Sequence, residues 1–211
     1  MYVRDYMTTN VITCAPETLV IDAQKLMQEH DIHRLPVVDG DKLIGIVTRT
    51  KLRDVAPSPA TSLSIWELNY LLAKMKVKEV MEKNIVTCTP DTTIEDSAII
   101  AKSHRVGALP VIENGKLVGI ITLTDVMNIF VEVLGIEKNN TRLHIHKSFL
   151  GKPLGEITSI INEHGVQIIS MFSVTVPRTH QKDLIVRLKT DNPGPIVEDL
   201  QSRGYVVEIS K

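Results

Sequence analysis

The chain has 211 residues, 43% hydrophobic and 23% charged, which fits one large or two modest soluble domains. A formal charge of −1, with no run of like charge, excludes the basic stripe that a sequence-independent grip on nucleic acid requires. No apolar run approaches the ~20 residues that span a bilayer, and the start Met1-Tyr2-Val3-Arg4-Asp5 lacks a signal peptide's basic-then-apolar layout, so no membrane partner and a cytoplasmic location are expected.

In chain order, residues 3–7 read as a short amphipathic turn and Val11-Ile12-Thr13 as a short strand. Leu19, Ala23, Leu26 and Met27 form one face of a helix. Residues 35–38 and 43–47 flank Asp39-Gly40-Asp41 and predict a hairpin, followed by a second helix. A connector holds Pro57 and Pro59, then a helix with Ser64 and Glu67 at capping-box spacing and Leu68, Leu71, Leu72 and Met75 on its apolar face. Trp66 on that helix reads as packing against its neighbours rather than stacking on a ligand.

Residues 77–126 then repeat residues 3–52 without a gap, at a constant shift of 74. The shift carries Met7 to Met81, Cys14 to Cys88, Asp22 to Asp96, His30 to His104, Leu35-Pro36-Val37 to Leu109-Pro110-Val111, and Gly45 to Gly119. Such a duplication implies units that bury their faces on each other. In the second copy Ile85-Val86-Thr87 is the short strand, and Thr92 and Glu95 have capping-box spacing with Thr92 as cap. Glu113-Asn114-Gly115 is the hairpin turn, and the helix after Thr124 is longer than its counterpart. Cys14 and Cys88 suit a reducing compartment; without a Cys-x-x-Cys spacing they read as small buried residues rather than a redox or metal pair.

From residue 141 the pattern is β-α-β-β-α-β. Leu143, Ile145, Lys147 and Phe149 alternate with Arg142, His144 and His146 as one strand. His144 and His146 share a strand face, which could suit a metal, but an exposed strand face is the favoured reading and no metal site is expected. Pro153 starts a helix lined by Leu154, Ile157, Ile160 and Ile161, and Gly165 follows it. Strands at 166–176 and 184–188, a helix at 195–202 and a strand at 205–209 complete a ferredoxin-like βαββαβ arrangement.

The duplicated segments HRLPVVDGDKLIGIVT and GALPVIENGKLVGIITLTD resemble the tandem CBS-domain pair (Bateman module) over about residues 1–135. The segment LGEITSIINEHGVQIISM resembles an ACT domain, and the order of the three resembles the acetoin-utilization AcuB-like family. The fold class expected is therefore α/β (α+β), with CBS repeat 1 at 1–56, a connector at 57–76, CBS repeat 2 at 77–135 and an ACT-like domain at 141–211. The resemblance implies a non-catalytic regulatory protein sensing AMP, ADP, ATP or S-adenosylmethionine. It also implies a homodimer, an unidentified regulated enzyme or other protein, and a link to acetoin or carbon metabolism. The alternative is a constitutive dimerisation scaffold with vestigial pockets. An ACT domain implies amino-acid binding or dimerisation; Gly151-Lys152-Pro153 departs from its usual ligand loop, which favours dimerisation.

The resemblance also places residues. The ribose signature is intact in Gly119-Ile120-Ile121-Thr122-Leu123-Thr124-Asp125, where the Asp125 carboxylate would accept both ribose hydroxyls beside Thr122. Thr122 and Asp125 fit a helix cap equally, and both roles can hold. Repeat one carries Lys51 where the carboxylate belongs; a lysine ammonium has no acceptor for a diol, though it could meet a phosphate. One competent site is therefore expected. Phosphate contacts fall on His33 and Arg34, which are otherwise a partly buried surface imidazole and a solvated strand-end charge, and repeat two has Gly107-Ala108 there. The adenine wall is expected to include Ile85, Val86 and Val111, next to Thr87.

Overall fold

The computed structural model describes residues 1–54, 74–136, 140–146, 154–178 and 180–210. The expected connector helix with Ser64, Trp66 and Glu67, the expected strand positions Lys147 and Phe149, and Gly151, Lys152 and Pro153 lie outside the described residues. The chain divides into two units, Met1–Val126 and Met127–Lys211.

The first unit contains α1 (Val3–Tyr6), α2 (Val20–Glu29), β1 (Arg34–Asp39), β2 (Lys42–Thr48), α3 (Arg49–Asp54), α4 (Val77–Val80), α5 (Ile94–His104), β3 (Ala108–Glu113), β4 (Lys116–Thr122) and the start of α6 (Leu123–Val133). The duplication is reproduced in detail. Leu35 faces Val47 and Val37 faces Gly45 in β1–β2; Leu109 faces Ile121 and Val111 faces Gly119 in β3–β4. Each hairpin shifts register at the same place, after Val37 and after Val111. The turns differ in chemistry. Asn114 and Gly115 both take positive φ (50° and 79°), as a type I′ turn requires, whereas Gly40 alone does so in the first hairpin (60°), at the first turn position of a type II′ turn.

Apolar residues spaced by helical and strand periods fill the core. Val20, Ala23 and Met27 of α2 meet Leu35, Val37 and Val47 of the hairpin and Leu52 of α3. Full burial of each such aliphatic side chain contributes roughly 1.5–3 kcal/mol. Val77, from the second repeat, belongs to this first-repeat core. That crossing is systematic. The N-terminal segment runs along the second repeat, with Val3 N donating to Thr92 O (2.9 Å) and Thr8 and Ile120 exchanging backbone bonds (3.0 Å each). The equivalent segment returns the exchange, with Val77 N donating to Thr18 O (2.8 Å) and Glu82 pairing with Ile46.

Two local expectations are corrected. The short strands at 11–13 and 85–87 are absent; only Cys14 and Cys88 make single parallel bridges, to Val37 and Val111. The cap of α5 is Thr93, not Thr92: Asp96 N donates to Thr93 Oγ1 at 3.0 Å and Thr93 Oγ1 donates to Asp96 Oδ2 at 2.8 Å. Thr92 Oγ1 is engaged one turn earlier, accepting from Thr89 N at 3.0 Å.

The second unit contains β5 (Thr141–His146), α7 (Leu154–Glu163), β6 (Ile168–Thr175), β7 (Lys182–Leu188), α8 (Gly194–Ser202) and β8 (Val206–Ser210). Its sheet is antiparallel in the order β6-β7-β5-β8, the ferredoxin-like arrangement. Strand alternation sends Leu143 and Ile145 into a core with Ile157, Ile160 and Ile161 of α7 and Ile196 and Leu200 of α8. The opposite sheet face carries Arg142, His144 and His146. Among the described residues no helix is long and apolar enough to cross a membrane.

Candidate ligand cleft

The start of α6 shows how local sequence sets this site. Thr122 ends β4 and caps α6, so Asp125 N donates to Thr122 Oγ1 at 3.2 Å. Asp125 returns the bond through one oxygen: Oδ2 accepts from Thr122 N at 2.8 Å and from Thr122 Oγ1 at 2.7 Å. An ionised carboxylate has about four lone-pair sites, two on each oxygen. The cap occupies the two on Oδ2, and no hydrogen bond to Oδ1 is found among the described residues. Two acceptor sites on one half-buried oxygen match a vicinal pair of hydroxyls, so capping and diol binding are compatible.

Asp125 faces a cleft of about 290 Å³ within the first unit. That is the small end of the ~300–1,000 Å³ range of ligand pockets. Thr8, Asn10, Val11 and Ile12 of the first repeat line it, with His33, Arg34 and Pro36, and so do Ile120, Thr122 and Thr124 of the second. Both repeats therefore build it, through the exchanged N-terminal segment that pairs with Ile120.

Arg34 reaches this cleft across the repeat boundary. Its guanidinium lies against Gly107, so closely that a Cβ there would overlap Nη2. Gly107 stands at the position where repeat one has His33, and its missing side chain is what admits Arg34. Among the described residues the Arg34 guanidinium makes no hydrogen bond or ion pair. Arg49, by contrast, is occupied, donating from Nη2 to the carbonyls of Met27 and Ile32 at 3.2 Å each.

The structure thus brings four of the eight expected residues, His33, Arg34, Thr122 and Asp125, around one cleft. It does not bring the other four there. Ile85 and Val86 are half-buried and Thr87 exposed, all away from the Asp125 cleft, and Val111 is sealed behind the hairpin at 0% exposure. The apolar wall is instead Val11, Ile12, Pro36 and Ile120. Val11 and Ile12 are the repeat-one counterparts of Ile85 and Val86. The sequence held both pairs, and only the Thr8–Ile120 pairing decides which lies beside the carboxylate.

The equivalent groove on repeat one is lined by Ile46, Thr48, Lys51, Glu79, Val80, Met81 and Glu82. The hydroxyl half of the cap survives there, with Lys51 N donating to Thr48 Oγ1 at 3.1 Å. No carboxylate stands at the third position. Cys14 and Cys88 are free and buried behind the hairpins, and burial pushes both thiols up to about 11, so they are protonated at neutral pH.

The model of the CBS domain matches residues 3–58 and 77–132. An inosine-5′-monophosphate dehydrogenase from Korarchaeum cryptofilum is 38% identical over 124 residues, 58% of this chain. The chain spans only 23% of that enzyme's length, and the shared stretch is the CBS portion. Among solved structures, a protein assigned to acetoin utilization (AcuB) from Vibrio cholerae superposes with a TM-score of 0.54 at 32% identity, covering 64% of this chain and 94% of that one. CBSX2 in complex with AMP gives 0.52 at 29% identity, covering 63% and 97%. The CBS domain pair of protein MJ0100, in complex with 5′-methylthioadenosine and S-adenosyl-L-methionine, gives 0.51 at 26% identity, covering 62% and 95%. A duplicated helix–hairpin–helix unit, exchanged N-terminal segments and a matching family model over more than half the chain lead to one conclusion: this chain belongs to the CBS-domain family and carries two copies of the domain.

Proposed function

We propose that the protein is a non-catalytic regulator that senses an adenosine-containing ligand, AMP, ADP, ATP or S-adenosylmethionine, in the Asp125 cleft. The observation that carries this is the half-used carboxylate of Asp125. Its Oδ2 is spent on the helix cap, and its Oδ1 is open to the two ribose hydroxyls. Arg34, with no partner among the described residues, supplies a planar fork for phosphate or carboxylate, and His33 stands next to it. Val11, Ile12, Pro36 and Ile120 supply an apolar slot for the base. The AMP complex of CBSX2 and the adenosyl complexes of MJ0100 support the same ligand class. The ligand acts on a partner only through its differential affinity for two states of the protein. The regulated partner is a protein of carbon or acetoin metabolism, by likeness to AcuB. The ferredoxin-like unit is proposed to be an ACT-like domain that holds a homodimer together.

Calorimetric titration of the full chain with AMP, ATP and S-adenosylmethionine tests the cleft. Asp125→Asn keeps a cap acceptor but puts a donor among the acceptors. It and Asp125→Ala are expected to weaken binding more than about tenfold, or ~1.4 kcal/mol. Lys51→Ala is expected to change it less than about twofold. Equal affinities in wild type and both Asp125 variants would leave a scaffold with vestigial pockets as the better reading.

A further inference from the structure

We propose that the ferredoxin-like unit carries a site for a divalent transition-metal ion on the sheet face opposite α7 and α8, held by His144, His146 and Glu208. His144 and His146 project from the same face of β5, and the register sets Glu208 of β8 directly across from His144. One donor atom from each residue can be chosen so that all lie within 4.8 Å of one another.

The hydrogen bonds around Asp183 set the roles. Asp183 is 3% exposed. Its Oδ2 accepts from His144 Nε2 at 2.8 Å and from His146 Nδ1 at 3.2 Å. A carboxylate only accepts, so each imidazole spends its N–H on Asp183 and keeps a lone pair on its other nitrogen. For His146 that other nitrogen is Nε2, which is buried and makes no hydrogen bond. It faces Glu208 Oε1 at 3.1 Å, out of line for a hydrogen bond. Two acceptors held this close repel unless a cation sits between them. A tetrahedral ion with bonds of ~2.1 Å keeps its ligand atoms ~3.4 Å apart, near the 3.1 Å between His146 Nε2 and Glu208 Oε1, and the His144 imidazole, with a donor within 4.8 Å, closes on the ion as third ligand. Two imidazoles and a carboxylate suit zinc, nickel or cobalt, with at least one coordination position left for water or another ligand. Asp183 takes the role of the outer carboxylate that fixes imidazole tautomers in metal sites.

Titration of the full chain with ZnCl2 and NiCl2, followed by calorimetry with circular dichroism as a fold check, tests the site. Wild type is expected to bind one ion per chain. His146→Ala should lower the affinity at least a hundredfold and Glu208→Gln at least tenfold. Asp183→Asn should lower it by about 10–100-fold. His164→Ala, on the segment after α7, should leave it unchanged. Glu208 is an exposed side chain, so its amide variant keeps the fold and decides the matter should His146→Ala unfold. No saturable one-to-one binding, or wild-type affinity in Glu208→Gln, would overturn the proposal and leave a proton as the cation between the two atoms.

Discussion

At the start of α6, Thr122 caps the helix and Asp125 answers it; at the start of α3, Thr48 caps in the same way and Lys51 stands in the third position. The two hairpins before these helices share strand register and bulge position, and both cores are aliphatic. Duplication has therefore kept the strand register, the bulge and the threonine cap, and varied the third helical position that faces the cleft. The second difference complements the first. Arg34 of repeat one reaches over Gly107 of repeat two, so the open cation and the open carboxylate face one cleft instead of two. The repeat-one groove is lined instead by Lys51, Glu79 and Glu82, with no carboxylate at the helix-start position.

The largest effects test the sameness of the repeats. Leu35 and Leu109 are equivalent and almost fully buried, at 0% and 2% exposure. Replacing either with Ala is expected to cost ~2–5 kcal/mol in urea unfolding, and the two losses should agree to within about 1 kcal/mol. A markedly smaller loss at one position would mean that the repeats are not energetically matched.

A smaller effect tests their difference. In Gly107→Ala the new Cβ overlaps the Arg34 guanidinium and pushes it from the cleft. AMP affinity should fall about tenfold, ~1.4 kcal/mol, and adenosine affinity by less than about twofold. A uniform loss for both ligands would assign Arg34 to the fold rather than to the phosphate.

The smallest effect is again symmetric. Burial raises both thiols from 9.0 to about 11, so the folded state favours the protonated form. Below pH 9 the thiols are protonated whether folded or unfolded, and they do not alter stability. As the pH climbs from 9 towards 11 the unfolded chain ionises first, and stability falls. Cys14→Ala and Cys88→Ala should each remove a similar part of that alkaline loss, read as the urea midpoint at pH 8 and pH 10.5. Unequal parts would break the equivalence of the two strand-end positions.

Much of this was legible in the amino-acid order because duplication and periodicity are local signals. The shift of 74 exposed the repeat, and the alternation in 141–146 and the helical spacing in 154–161 exposed the second unit. The carboxylate at Asp125 and its loss at Lys51 were visible for the same reason. What was not legible depends on which repeat touches which. Val11 and Ile12 form the wall in place of Ile85 and Val86 because residues 3–8 cross to β4, and a backbone exchange between equivalent segments leaves no trace in either. Thr93 displaced Thr92 as cap because two adjacent threonines offer the same hydroxyl, and the preceding turn claims one of them. His144 and His146 were visible as a pair, but Asp183 and Glu208 join them only through strand register.

The most direct test is a high-resolution complex of the full chain with AMP. One nucleotide per chain should sit in the Asp125 cleft, with both ribose oxygens within ~3.2 Å of the Asp125 carboxylate and the phosphate on Arg34. A nucleotide in the Lys51 groove alone, or an Asp125 carboxylate that contacts only its own helix while the ribose lies elsewhere, would contradict the account.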